Sequence, residues 1–149
     1  MGFKLKINEN NNTPSDAKSI NKTIDILKDN GCTGVGDLNT IDKFSIWDIS
    51  GFTPTNIPFV AEVKDKNVAH DKYGDVLCDK AKFDKYKEQP FYKKMLVFNY
   101  YNDGYLAIAN PDYWYKTIKR KTPISTEFGD KGTEKQTMIS MPQHKLMKI

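Results

Sequence analysis

At 149 residues the chain is short enough for one domain and long enough to bury a single core. Its 38% hydrophobic and 28% charged content excludes a disordered chain, and no apolar run nears the ~20 residues that a bilayer-spanning helix needs. A formal net charge of +4 tolerates a polyanionic partner without requiring one.

The first residues lack the apolar core of a secretory leader, and Lys6 stands where a myristoylation signal needs Ser or Thr. Cys32 and Cys78 are isolated, without metal spacing, and read as free thiols of a reducing cytosol. Residues 8–13 are polar and read as loose. Thr13-Pro14 then pairs an N-cap with a proline at the first helical position. Ala17, Ile20, Ile24 and Leu27 follow at helical spacing, and Asn30-Gly31 supplies the stop. Residues 31–39 are glycine-rich. Their Gly34-x-Gly36 has neither the preceding strand nor the following helix of a phosphate-cradling loop, so a mobile loop is expected.

Residues 44–49 read as a strand, 51–58 as its connection, and 59–64 as a second strand. The second has apolar residues on both faces of its first half, as at a central position. Residues 65–79 read as an irregular polar crossover. A short helix capped by Asp79 is predicted to run to about residue 88, with Phe83 and Tyr86 inward and Pro90 beyond its end. Residues 95–101 suit a buried strand, Asn102-Asp103-Gly104 a turn, and 105–109 the hairpin partner. A turn with Tyr113, Trp114 and Tyr115 leads into the basic run Lys116, Lys119, Arg120, Lys121. The tail reads as a C-terminal β-hairpin, turning at 129–132 and returning over 133–141. The expected fold is α/β (α+β): one domain on a central mixed β-sheet flanked by helices.

The stretch Phe59-Val60-Ala61-Glu62-Val63-Lys64-Asp65-Lys66-Asn67 carries the most chemistry. Side chains alternate along a strand, so Glu62 and Lys64 point one way and Ala61 and Val63 the other. Asp48 lies a hairpin's length upstream. Phosphodiester hydrolysis needs an activated water, neutralised phosphate charge and a stabilised leaving oxygen. Carboxylates holding one or two Mg²⁺ ions with open positions supply all three. Asp48 and Glu62 are the candidate ligands, with the Val63 carbonyl as a further hard ligand. The Lys64 ammonium can steady charge growing on phosphorus and orient the attacking water. Two close carboxylates without a cation repel until one keeps its proton, so divalent ion uptake is expected.

Trp47-Asp48-Ile49-Ser50 followed by the 59–67 stretch resembles the PD-(D/E)XK nuclease superfamily, of restriction-endonuclease-like fold, in the style of its small phage and mobile-element members. Members often carry a glutamine or lysine on the next helix with a tyrosine four residues on, as in Lys82-Phe83-Asp84-Lys85-Tyr86. The resemblance implies that Asp48 and Glu62 are metal ligands, Lys64 the catalytic lysine, Lys82 a phosphate-facing helper and Tyr86 a support. It also implies Mg²⁺ as cofactor, Mn²⁺ as its substitute, and a 5′-phosphate product. Trp47 stands where the family has proline, which leaves Asp37 and Asp42 open as alternatives to Asp48.

Lys66 and Asn67 extend the motif toward substrate, Tyr73 can stack on a base, and Lys116, Lys119, Arg120 and Lys121 can hold DNA phosphates. Each has a plainer reading as a solvated strand end, rim packing or a solvated face. His70 reads as an exposed histidine, not needed as a general base beside a metal-bound hydroxide, and His144 carries still less weight. The expected function is a Mg²⁺-dependent endonuclease hydrolysing DNA in the cytoplasm, that of the host if the chain is phage-encoded. The alternative is a catalytically silent protein of the same fold, a DNA-binding or protein-interaction module of a phage or mobile element. Two cuts need two sites, so a homodimer is compatible, although no heptad or apolar patch calls for one.

Overall fold

A computed structural model describes residues 15–42, 45–113, 115–125, 131–142 and 144–149. Helix α1 (Ser15–Asp29) ends where Gly31 turns at φ +90°, a conformation that favours glycine, and the Asn30 side chain donates to the Ile26 carbonyl at 2.7 Å. The cap expected at Thr13-Pro14 lies outside the described residues. Strands β1 (Thr33–Asp37), β2 (Ile49–Phe52), β3 (Pro58–Lys66), β5 (Lys94–Tyr101), β6 (Tyr105–Ala109) and β9 (Lys145–Lys148) form one mixed sheet in the order β1-β2-β3-β5-β6-β9. Among the described residues only the β3–β5 pair of this sheet is parallel. Strand β4 (Val76–Asp79) leads into helix α2 (Lys80–Glu88) and joins β7 (Lys116–Ser125) and β8 (Lys131–Met141) in a second, antiparallel sheet, β4-β8-β7.

The first sheet buries both faces. Phe59, Ala61, Val63 and Phe98 pack with Ile20, Ile26 and Leu27 of α1. Val60, Met95 and Val97 pack with Phe83 and Tyr86 of α2 and with Val76, Ile139 and Met141 of the second sheet. Each such side chain contributes about 1.5–3 kcal/mol on leaving water. Polar pins add direction: the Ser19 hydroxyl donates to Asp65 Oδ1 at 2.6 Å, and Thr23 and Tyr100 share a hydroxyl–hydroxyl bond of 2.6 Å. Among the described residues no helix is long and apolar enough to cross a membrane.

The α+β class, the central position of β3, the β5–β6 hairpin, α2 with its Asp79 cap, and the C-terminal hairpin all agree with expectation. Several boundaries do not. The strand expected over 44–49 is instead Ile49–Phe52, because pairing with β3 (Ile49↔Ala61, Gly51↔Phe59) decides the register. Phe44 lies outside the described residues, and Ile46 is exposed and outside any strand. Gly51 looked like a connection; it is a packing glycine whose added Cβ would meet Val35 Cγ2 at 3.0 Å and the Phe59 ring at 3.1 Å. The glycine-rich loop expected over 31–39 is strand β1, with Val35 in the core, followed by a 3₁₀ turn (Leu38–Thr40). A bulge between Thr33 and Gly36 admits Gly34 at φ +59°. The crossover at 65–79 is shorter than expected, since β3 runs to Lys66 and β4 begins at Val76. There are two sheets where one was expected, and β9 was not anticipated. Lys131 and Gly132 pair with Ser125 and Ile124, so they do not form the turn; residues 126–130 lie outside the described residues.

Candidate functional site

Strand alternation sends Val60, Glu62 and Lys64 toward α2 and the second sheet, and Phe59, Ala61 and Val63 toward α1. Asp48 sits immediately before β2, where the backbone stops supplying ladder partners to β3. Its N–H donates to the Ala61 carbonyl at 3.1 Å, and its Oδ2 accepts the Val63 N–H at 2.9 Å. The carboxylate therefore replaces the missing strand partner. Oδ1 accepts from Asn39 Nδ2 at 3.2 Å, and the Leu38 N–H donates to the Asp48 carbonyl at 2.9 Å. The N–H and C=O of a strand residue point to one edge, so the Val63 carbonyl faces the same open edge as Asp48.

Glu62 is only 1% exposed. Lys82 Nζ lies 2.6 Å from its Oε1 in an ion pair. Among the described residues neither Glu62 oxygen has an aligned donor. Burial pushes its carboxyl up to about 7, the Asp48 charge adds to the effect, and Lys82 and Lys64 work against it. Burial also opposes the Lys82 charge, but the adjacent Glu62 outweighs it and the amine is held above its ordinary value. Lys82 and Tyr86 are four apart on α2 and share a face. The Tyr86 hydroxyl donates to Asp112 Oδ2 at 2.8 Å, which also accepts the Met95 N–H at 3.1 Å, tying α2 to β5.

Asp48, Lys64 and Lys82 thus all lie within electrostatic reach of Glu62, and Lys64 is the exposed member. Asp37 is turned elsewhere: its side chain accepts the Asn39 N–H at 2.9 Å and caps the 3₁₀ turn. Asp42 is exposed. The carboxylate brought against Glu62 is Asp48. A hard divalent cation takes carboxylate and carbonyl oxygens, and these residues fit it. Both Glu62 oxygens lack aligned donors, each Asp48 oxygen keeps a lone pair beyond its one bond, and the Val63 carbonyl shares their edge.

A second group lies apart from this site. Ligand atoms of His70, Asp71 and Asp103 are within 4.8 Å of one another. His70 Nδ1 lies 2.6 Å from Asp103 Oδ2, its N–H donates to the same oxygen at 3.1 Å, and its ring sits 3.9 Å from that of Tyr105. His70 is half-buried and held, not exposed as expected. The pair fastens the loop after β3 to the β5–β6 turn. His144 is also half-buried, with Nδ1 3.1 Å from the Met141 carbonyl.

Of the expected substrate contacts, Lys66, Asn67 and Tyr73 line one cavity, of about 450 Å³, whose walls also include Leu77 of β4 and Ile118 of β7. Lys116 and Lys119 are exposed on β7, and Arg120 and Lys121 pair with Gln136 and Lys135 on β8. A strand sends residues three apart to opposite faces, so Lys116 and Lys119 do not form one basic face. Tyr115 packs edge-on to Phe83 at 4.8 Å, Tyr113 is exposed, and Trp114 lies outside the described residues. Two site residues went unread in the sequence. Asn39, which holds Asp48, sits in an ordinary turn sequence and carries no signal. Asn99 did carry one: an amide inside an apolar strand, which needs a reason to be buried. No family model matches this chain, and neither the curated proteins nor the solved structures give a significant match.

Proposed function

We propose that the chain is a divalent-metal-dependent endonuclease that hydrolyses DNA phosphodiester bonds at Asp48, Glu62 and Lys64. The observation that carries this reading is Glu62, a carboxylate 1% exposed, without aligned donors among the described residues, beside the charge of a second carboxylate. Offset by the Lys82 ammonium 2.6 Å away, this buried carboxylate is still pushed well above its ordinary range, and groups perturbed in that way concentrate at functional sites. Asp48, Glu62 and the Val63 carbonyl would hold the ion. Bound there, Mg²⁺ (or Mn²⁺ in its place) supplies an acidified water and a polarised phosphate oxygen.

The remaining roles belong to the chain itself. Asn39 and the Val63 N–H orient the Asp48 carboxylate. Lys82 keeps Glu62 in place and favours its anionic form, and Tyr86 holds α2 through Asp112. Lys64, exposed beyond Glu62 on the same strand face, donates to the attacking water and to the charge developing on phosphorus. Lys66, Asn67, Tyr73 and the β7 basic residues supply nucleic-acid contacts. The resemblance to PD-(D/E)XK nucleases of phage and mobile elements supports the same reading, with the host cytoplasm as its setting. The test is nicking of supercoiled plasmid with Mg²⁺ by the wild type and by Glu62→Ala. Activity in the first and none in the second is expected; equal cleavage refutes the assignment.

A second reading has its own observation. Both Asp48 oxygens already serve β3 and Asn39, and Lys82 already offsets Glu62. A catalytically silent protein of this fold, used for DNA or protein binding in a phage or mobile element, needs nothing more. It predicts DNA binding with no divalent-dependent nicking.

A further inference from the structure

We propose that the cavity beyond Glu62 receives the base of an unpaired nucleotide, so that the substrate carries a single-stranded position next to the scissile phosphate. This rests on the nuclease reading and names its substrate class. The cavity, about 450 Å³, lies where β3 and β5 meet β4 and β7, and its volume is within the range of small-ligand sites. Tyr73 and Tyr101 bring aromatic rings, and Val68, Leu77 and Ile118 bring aliphatic surface. That combination suits a flat ring.

Asn99 supplies the polar counterpart. It lines the cavity, is 1% exposed, and its Oδ1 has no hydrogen-bond partner among the described residues. A buried amide oxygen left unpaired is destabilising, and an aliphatic residue would fill the site without that cost. A carboxamide offers one acceptor and one donor side by side, the pattern of a base edge. The charges sort base from backbone. Asp75 and Lys66 line the cavity with opposite charges, and the Asp65 carboxylate turns to Ser19 on the α1 face, so the lining offers no net cationic charge to hold a phosphate inside. The neutral base goes in and the sugar–phosphate stays out.

Position completes the case. Asn99 is the register partner of Lys64, and Val97 that of Glu62. Strand spacing therefore puts Asn99 about 8 Å from Glu62 on the same face. A nucleotide with its phosphate at Glu62 can place its own base there. A base within a paired stack must first be flipped out, a free-energy cost that an unpaired base does not incur.

The experiment measures binding of the full chain by fluorescence anisotropy in EDTA, without cleavage. The probes are a labelled single-stranded oligonucleotide, its fully paired duplex, and the single strand with abasic positions. The single strand is expected to bind at least about tenfold tighter than the duplex. Tyr73→Ala and Asn99→Leu should each weaken single-strand binding about five- to tenfold and duplex binding by a much smaller factor, and abasic positions should act alike. Tyr73 is 51% exposed, so its variant keeps the fold even if Asn99→Leu does not. Equal affinity for strand and duplex, or single-strand affinity unchanged by Tyr73→Ala, overturns the proposal. Free adenosine or thymidine binding as tightly as the oligonucleotide also overturns it, by assigning the cavity to a nucleoside. Base-dependent binding without Mg²⁺-dependent cleavage of any probe sinks the nuclease reading and leaves the base site standing. Cleavage of paired duplex untouched by either variant does the reverse.

Discussion

Replacing Glu62 with glutamine should make the metal-free protein more stable at neutral pH, and the gain should vanish in acid. Burial, reinforced by Asp48, moves the Glu62 carboxyl from its ordinary 4.5 to about 7. Between those values the folded chain holds a proton that the unfolded chain has released. Stability therefore falls as pH rises through this window, is undiminished below 4.5, and loses nothing further well above 7. The full loss is about 3 kcal/mol. For a chain of this size that is roughly 6–12 °C in Tm. Glutamine keeps the shape and carries no charge, so it escapes the loss, and Lys82, with its side chain 30% exposed, can turn its amine to water. Thermal melts followed by circular dichroism from pH 4.5 to 8 in EDTA would compare the two proteins, and their difference isolates Glu62 from other titrating groups. Adding Mg²⁺ at about a hundred times its Kd should restore about 2.7 kcal/mol to the wild type alone. Parallel Tm curves for the two proteins across this range would refute the reasoning.

Asp48→Asn keeps an acceptor for the Val63 N–H and should cost about 1 kcal/mol or less, whereas Asp48→Ala strands that N–H and should cost about 1–3 kcal/mol. Both should abolish divalent-dependent plasmid nicking, and nicking retained by the asparagine variant would remove Asp48 from the site. Gly51→Ala should lower stability by about 1–3 kcal/mol, because Val35 and the Phe59 ring, both packed in the core, must give way by a few tenths of an ångström to admit a methyl group. The check is a lower urea midpoint at an unchanged m value. Lys116 and Lys119 lie on opposite faces of β7, so the alanine variant of the one facing DNA should weaken binding similarly across sequences and reduce the salt slope by about 1, and a slope unchanged in both removes β7 from the interface.

What could be read in the sequence was local. Helix α2 is bounded by Asp79, whose side chain accepts the Ala81 N–H, and by Pro90 beyond its end. The β5–β6 hairpin follows from Asn102-Asp103-Gly104, with Gly104 at φ +82°. Glu62 and Lys64 share a face because strands alternate. What could not be read depends on contacts distant in sequence. Residues 44–49 have a strand-like pattern, yet β2 forms where Gly51 lets Phe59 and Val35 close over the backbone. The second sheet needs β4 to meet β8, and no short-range pattern marks that pairing. The site divides in the same way. Asp48 and Glu62 were legible as types at a useful spacing. The edge role of Asp48 and the burial of Glu62 beneath Lys82 depend on where β2 ends and how α2 packs.

Calorimetric titration of Mn²⁺ into the wild type, Glu62→Gln and His70→Ala separates the two places where the chain could take up a divalent ion. Binding at a single site in the wild type and in His70→Ala, with none in Glu62→Gln, is the expected result. Uptake undiminished in Glu62→Gln, or lost in His70→Ala, would contradict it and move the metal to the His70–Asp71–Asp103 cluster.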